Sequence, residues 1–313
     1  MKNLFIAIAL ILAVGITPLF AGGSAETAEE LKGPVTVASK IDTEGALLGN
    51  IIITALEAEG FQIENRTEFG PTDVVRKAIM ADEIDIYPEY TGNGGFFFSD
   101  TPSETWKDRK AGYTLVKKLD LEANNLVWLT PAPANNTWAI ALRGDIAKPK
   151  GLVTLGDMAA YINSGGTFKI AGSEEFVTRP DALPAFEETY GFSLSEDQML
   201  ILSGGNTATT EQAASRGTNG VNAAMAYGTD GQLAALGLVV MEDSKGVQPV
   251  YEPAPLIRKE MLDRYPEIAG ILKPVFESLD LVTLQTLNAK IAVEGLSAES
   301  VARKYLTEAG FLE

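Results

Sequence analysis

Two rhythms of apolar residues alternate along the first part of the chain. Residues 35–39, 61–67 and 83–92 are short segments that predict strands. Between them, apolar residues recur at helical spacing over residues 47–56 and 74–79, which predicts helices with one buried face. The order strand, helix, strand, helix, strand predicts a mainly parallel sheet with helices on its faces.

The third of these strands ends in an unusual way. Ile84 and Ile86 alternate with acidic residues, which predicts a strand, and Pro88 then removes a backbone donor. We therefore expect the ladder to stop as an interior strand near Pro88. Tyr90 and Gly92 follow in a segment that can turn. Strand ends at the carboxyl edge of such a sheet are where open α/β folds bind ligands.

The remaining residues predict a second α/β series followed by a helical C-terminal part. A stiff, proline-containing connection at residues 131–137 predicts a crossing between two lobes, and residues 243–246 predict the return. Predicted strands lie at 126–130, 138–143, 168–171, 221–227 and 238–241, with an extended segment at 250–257. Predicted helices lie at 101–123, 154–164, 181–190, 195–202, 209–215, 259–265, 266–279 and 297–309, and 172–179 is predicted as a loop.

The N-terminal residues 1–21 have the features of an export signal. Lys2 supplies a positive start, residues 4–14 form an apolar run, and Ala21 with the two following glycines offers a cleavage point. We expect a monomeric, periplasmic protein after cleavage. The predicted organisation is a signal peptide at 1–21, a flexible lead-in at 22–34, lobe 1 at 35–136 and 244–313, and lobe 2 at 137–243.

Composition and charge narrow the function. The chain of 313 residues is 46% hydrophobic, carries a formal net charge of −17 and has a pI near 4.5. Nucleic acid and anionic membranes are therefore poor partners, since both require a basic surface. The chain contains no cysteine and no histidine, which excludes disulfides, a lipidated cysteine, thiolate or imidazole metal sites and histidine-dependent catalysis. We predict no metal, no cofactor and no enzymatic activity.

Several chemically distinctive residues lie next to predicted strands. Because parallel strands point their carboxyl ends to one edge, these residues should converge at a cleft between the lobes. Aromatic faces attract a quaternary ammonium, and Arg or Lys binds a carboxylate, so the set suits a zwitterion. The residues are Lys40, Tyr87 or Tyr90, Trp138, Arg179 and Tyr227. Taken singly, Lys40 could instead be a solvated lysine, Tyr87 and Trp138 core residues, and Arg179 the partner of a neighbouring acid.

Long motifs, in order along residues 35–310, resemble those of a known family. The chain is similar to the solute-binding proteins of ABC importers for glycine betaine, choline and related osmoprotectants, and most similar to the OsmF branch. The motifs are Ala38-Ser39-Lys40, Leu47-Leu48-Gly49-Asn50 after Glu44, residues 83–92, Asn135-Asn136-Thr137-Trp138, residues 175–181 and residues 221–231.

The resemblance implies a type II periplasmic-binding-protein fold, in which two α/β lobes joined by two crossings close on a ligand. It implies an ammonium cage of Tyr90, Trp138 and Tyr227, with Trp138 where the family more often has tyrosine. It assigns Lys40 and Arg179 to the ligand carboxylate, and Asn93, Asn136 and Glu175 to the site lining. It also implies ABC permease subunits in the inner membrane as partners.

One departure from the family pattern concerns the ligand. Relatives usually carry another cage tyrosine before the last motif, whereas residues 204–211 here contain no aromatic side chain. The cage is therefore expected to be open on one side. Three alternatives follow: the same fold binding another zwitterion or an amino acid, a ligand-sensing module, and an enzyme that uses Glu175 or Glu89 with Lys40.

Overall fold

The computed structural model of the protein describes residues 32–312. The predicted signal peptide and most of the predicted lead-in lie outside them, and residues 32–34 of that lead-in already belong to the first strand. The strands are β1 (Lys32–Lys40), β2 (Phe61–Gly70), β3 (Ile86–Tyr90), β4 (Leu126–Trp128), β5 (Trp138–Arg143), β6 (Ile170–Ser173), β7 (Met199–Leu202), β8 (Ala223–Tyr227), β9 (Leu238–Val240) and β10 (Pro253–Arg258).

Helices occupy most of the intervening segments and the C-terminal part. They are α1 (Thr43–Ala58), α2 (Thr72–Met80), α3 (Gly94–Phe97), α4 (Arg109–Asn124), α5 (Gly144–Lys150), α6 (Leu155–Asn163), α7 (Glu174–Thr178), α8 (Leu183–Tyr190), α9 (Thr207–Arg216), α10 (Lys259–Arg264), α11 (Glu267–Glu277), α12 (Leu281–Ala292) and α13 (Ala298–Glu308). Short 3₁₀ helices lie at Thr91–Asn93, Ser103–Lys107, Glu196–Gln198 and Thr218–Gly220.

The strands form two five-stranded sheets of the same design. Their orders are β2-β1-β3-β10-β4 and β7-β6-β8-β5-β9. In the first sheet β10 alone runs antiparallel to its neighbours, and in the second β5 does so. The chain passes between the sheets after β4 and again after β9. The exact lobe boundaries at 136/137 and 243/244 stay a prediction.

The core of the first sheet is built on α1. Leu47, Leu48, Ile51, Ile52 and Leu56 have no exposed surface, and each such burial stabilises the fold by about 1.5–3 kcal/mol. The helix begins where β1 ends, since Asp42 caps it with a 2.7 Å hydrogen bond from the Gly45 amide to its Oδ1. The N-terminus of α1 therefore lies at the carboxyl edge of the sheet.

The strand around Pro88 differs from its prediction. It begins at Ile86 rather than Glu83, and it is an interior strand between β1 and β10. Pro88 is tolerated because it faces Pro255 in the antiparallel register with β10, and the β1 ladder pairs with β3 only at Ile86. The missing donor therefore removes no bond from either ladder.

Other predictions failed where tertiary contacts outweighed local signals. Residues 195–202, predicted as a helix, form a 3₁₀ turn and then β7, because the apolar run 199–202 pairs in parallel with β6. The helix predicted at 101–123 is divided into a 3₁₀ turn and α4, which Asp108 caps. Helices α5 and α12 were not predicted, and α7 lies where a loop was expected.

Candidate functional site

The carboxyl ends of strands from both sheets meet around one cavity. Lys40 ends β1, Tyr90 ends β3 and Tyr227 ends β8, while α7 begins directly after β6. The cavity has an empty volume of about 460 Å³, within the range of small-molecule sites. All eight residues predicted for the site line it: Lys40, Tyr90, Asn93, Asn136, Trp138, Glu175, Arg179 and Tyr227.

Trp138 reaches this cavity in a way that the sequence reasoning did not foresee. It does not follow a strand but begins β5, and β5 is antiparallel, so its amino end lies at the edge where the parallel strands end. The register pairs Trp138 with Tyr227 across the two strands. Their rings stack at 6.3 Å with an interplanar angle of 19°. This cross-strand pair forms one aromatic wall.

Tyr87 and Tyr251 exchange the importance that the sequence suggested for them. Tyr87 has no exposed surface and belongs to the core, as its alternative interpretation held. Tyr251 lies in the return crossing before β10 and lines the cavity, with its ring 5.9 Å from that of Trp138. The available signal was an aromatic residue just before a strand that enters the sheet at the same edge.

Lys40 is held inside the chain by a buried carboxylate. Its Nζ lies 2.6 Å from Oε1 of Glu89, which has no exposed surface, and 4.6 Å from the ring centroid of Tyr90. Glu89 also accepts hydrogen bonds from the Asn93 amide at 2.7 Å, the Tyr87 hydroxyl at 2.9 Å and the Tyr90 backbone at 2.7 Å. The buried lysine is thus neutralised and rigidly placed at the cavity floor.

Arg179 is likewise enclosed by acids, as its alternative interpretation predicted. Its Nε and Nη2 bind the two carboxylate oxygens of Asp181, each at 2.7 Å, and its Nη1 lies 2.9 Å from Glu175. Its guanidinium also lies 4.6 Å from the Trp138 ring and 4.3 Å from the Phe96 ring. Burial alone would lower the pKa of Arg179, but the Asp181 contact raises it above its ordinary value.

A polar network behind the aromatic residues is centred on Glu44. Its Oε1 accepts from the Tyr90 hydroxyl at 3.0 Å and from Asn136 at 2.6 Å, and its Oε2 accepts from Asn288 at 2.7 Å. Burial raises the pKa of Glu44, and the hydrogen bonds from Asn136 and Asn288 lower it. Asn288 also donates to the Thr229 carbonyl at 3.1 Å. The sequence gave no sign of Asn288, which is far along the chain from its partners.

The segment without an aromatic residue also borders the cavity. Gly205 lines it, and α9 begins two residues later, capped by Asn206. No aromatic side chain from residues 204–211 can therefore complete the cage on this side. Within residues 32–312, no three His, Cys, Asp or Glu side chains are arranged to hold a metal ion. None of the helices in that range has the length and apolar character needed to cross a membrane.

Comparison with known proteins assigns this architecture. Residues 33–308 match the OpuAC family model, which describes the substrate-binding domain of the ABC-type glycine betaine transport system. The chain belongs to the OpuAC family. It is thus a substrate-binding protein of the kind that serves ABC transport, as the motifs predicted.

Relatives of this OpuAC-family chain agree in sequence and in fold. Glycine betaine-binding protein YehZ of Escherichia coli is 59% identical over 278 residues, covering 89% of this chain and 91% of its own. A glycine-betaine-binding protein of Pseudomonas aeruginosa is 32% identical over 308 residues, covering 96% and 94%.

Solved structures confirm the predicted two-lobed, type II fold. The structure of apo YehZ has a TM-score of 0.66 at 58% identity, covering 90% of this chain and 100% of that one. A glycine betaine/carnitine/choline ABC transporter protein has a TM-score of 0.69 at 18% identity, covering 89% and 100%, which is a likeness of fold alone.

Proposed function

We propose that this protein binds glycine betaine or a closely related quaternary-ammonium solute and delivers it to an ABC permease in the inner membrane. The observation that carries the proposal is the aromatic enclosure of the cavity by Tyr90, Trp138, Tyr227 and Tyr251. A quaternary ammonium has no N–H to donate, so aromatic faces are its natural partners, each contributing roughly 0.5–2 kcal/mol. The names of the relatives support the same ligand.

The carboxylate end of the ligand would lie toward Arg179 and Lys40. Arg179 has five N–H donors, and its contacts with Asp181, Glu175 and Tyr251 leave one Nη1 hydrogen without a partner among the described residues. The Trp138 indole N–H likewise lacks an acceptor in residues 32–312. Both donors belong to residues that line the cavity, so a ligand carboxylate could accept from them.

The lobes would open and close about the two crossings to admit and release the ligand. Lobe 1 would comprise residues 35–136 and 244–313, and lobe 2 residues 137–243. The TM-score of 0.66 with apo YehZ is low for 58% identity, as a different angle between lobes would produce. Residues 1–21 would direct export to the periplasm, where the protein would act without lipid attachment and release its ligand unchanged.

Calorimetric titration of the mature protein with glycine betaine tests this proposal. A matched pair of variants, Trp138→Phe and Trp138→Leu, separates the aromatic face from apolar volume at that position. We expect saturable binding by the wild type, a modest loss in Trp138→Phe and a loss of about fivefold or more in Trp138→Leu, as cation–π energies of this size imply. Absence of wild-type binding at millimolar ligand would contradict the proposed ligand.

A further inference from the structure

The charges around the cavity are unequal. Its two basic residues, Lys40 and Arg179, already carry carboxylate partners, namely Glu89 for the first and Asp181 with Glu175 for the second. These pairs account for the positive charge of the site. A ligand therefore meets no free cation there, and any acid left without a basic partner gives the cavity a negative potential.

Asp42 is such an acid. It lines the cavity and is only 7% exposed, yet no Lys or Arg among residues 32–312 forms an ion pair with it. Its Oδ1 caps α1 by accepting from the Gly45 amide at 2.7 Å, and its Oδ2 has no hydrogen-bond donor in the described chain. A desolvated carboxylate oxygen without a partner is costly in free energy, so it calls for a ligand.

The position of Asp42 relative to the aromatic residues is also informative. Burial, and after it the charge of Asp42, raises the pKa of the Tyr227 hydroxyl, so the two groups are close. The next residue, Thr43, approaches Asn206 with 3.5 Å between Oγ1 and Oδ1. Asp42 therefore lies beside the segment 204–211, the side of the cage that has no aromatic residue.

We propose that Asp42 is a ligand-binding residue whose free carboxylate oxygen contacts the quaternary ammonium and closes the side of the cage left open by residues 204–211. This inference rests on the proposed function. In a site of this design, three kinds of group recognise the cation: aromatic faces on lobe 1, aromatic faces on lobe 2, and one carboxylate between them. The carboxylate adds a Coulombic attraction that a fourth ring would supply only through its quadrupole.

Asp42→Asn isolates the charge, because asparagine caps a helix about as well as aspartate and has nearly the same shape. Asp108→Asn is the matched control, since Asp108 caps α4 in the same way, with a 2.7 Å bond from Ala111, and does not line the cavity. Each protein is titrated with glycine betaine by calorimetry, and its unliganded melting temperature is recorded. If Asp42→Asn folds poorly, Asp42→Ser replaces it as a second capping variant.

We expect the Kd for glycine betaine to rise by about fivefold or more in Asp42→Asn and to stay unchanged in Asp108→Asn, as loss of a unit charge close to the ammonium requires. A smaller rise in Asp42→Asn, with the wild type binding normally, would overturn the role of Asp42 and leave the proposed function standing. Absence of binding by the wild type would instead remove the proposed function itself.

Discussion

Replacement of Asn288 by alanine should weaken the whole structure through one buried amide. Asn288 lies on α12 and is 1% exposed. Its Nδ2 donates to the Glu44 carboxylate on α1 at 2.7 Å and to the Thr229 carbonyl after β8 at 3.1 Å. A single side chain therefore connects a helix of the first sheet to a loop of the second.

The expected loss can be worked out from these two contacts. A buried hydrogen bond to a charged group contributes about 1.5–3 kcal/mol, and a neutral one about 0.5–1.5 kcal/mol. Glu44 keeps its donors Tyr90 and Asn136, so its carboxylate is not left unpaired. Alanine returns about 0.5 kcal/mol through its higher helix propensity. The free energy of unfolding should fall by about 2–4 kcal/mol in Asn288→Ala.

Urea unfolding followed by circular dichroism measures this loss. Thr286→Ala is the matched control, because Thr286 is exposed on the same helix and bonds only within it. A double-mutant cycle with Glu44→Ala isolates the pairwise energy, which should be about 1 kcal/mol or more. An Asn288→Ala protein as stable as Thr286→Ala, with a coupling energy below about 0.5 kcal/mol, would refute the reasoning.

Two further predictions concern stability. A Cβ at Gly231 would overlap the Gln285 main-chain carbonyl, whereas one at Gly270 on α11 would meet nothing within 4 Å. Thermal melts should therefore show Gly231→Ala destabilised by about 1–3 kcal/mol or more, and Gly270→Ala unchanged or stabilised by up to about 1 kcal/mol; equal melting temperatures would contradict the packing. Burial, and then the charge of Asp230, raises the pKa of Glu211, so the folded protein binds more protons than the unfolded chain above the ordinary pKa of glutamate. Stability from this group is thus lost as pH rises, and Glu211→Gln should gain stability over the wild type at pH 8 but much less at pH 5; urea unfolding at both pH values would expose the idea as wrong if the difference did not grow with pH.

Much of the fold was predictable because its local signals agree with its tertiary contacts. Helix α6 begins at the capping box of Thr154 and Asp157, which satisfies backbone donors without help from elsewhere in the chain. Helix α1 shows its apolar spacing because one sheet and several helices cover it. The run 199–202 has no such signal. It becomes a strand only because β6 offers an unpaired edge.

The candidate site was predictable in its membership but not in its pairing. All eight predicted residues line the cavity, since strand ends at one edge of a sheet must lie close together. Tyr251, Asp42 and Asn288 were not among them. Asn288 is 244 residues from Glu44, and no local pattern reports a contact over that separation.

The sequence by itself therefore determined which segments form strands and helices, which family the motifs resemble, and which chemistry the absence of cysteine and histidine removes. The tertiary structure alone decided that Lys40 is neutralised by Glu89, that Arg179 is enclosed by Asp181 and Glu175, and that Asp42 has no basic partner among the described residues. The physical reason is that periodicity records only whether a side chain is buried. The charge that it meets there depends on which distant segments fold against it.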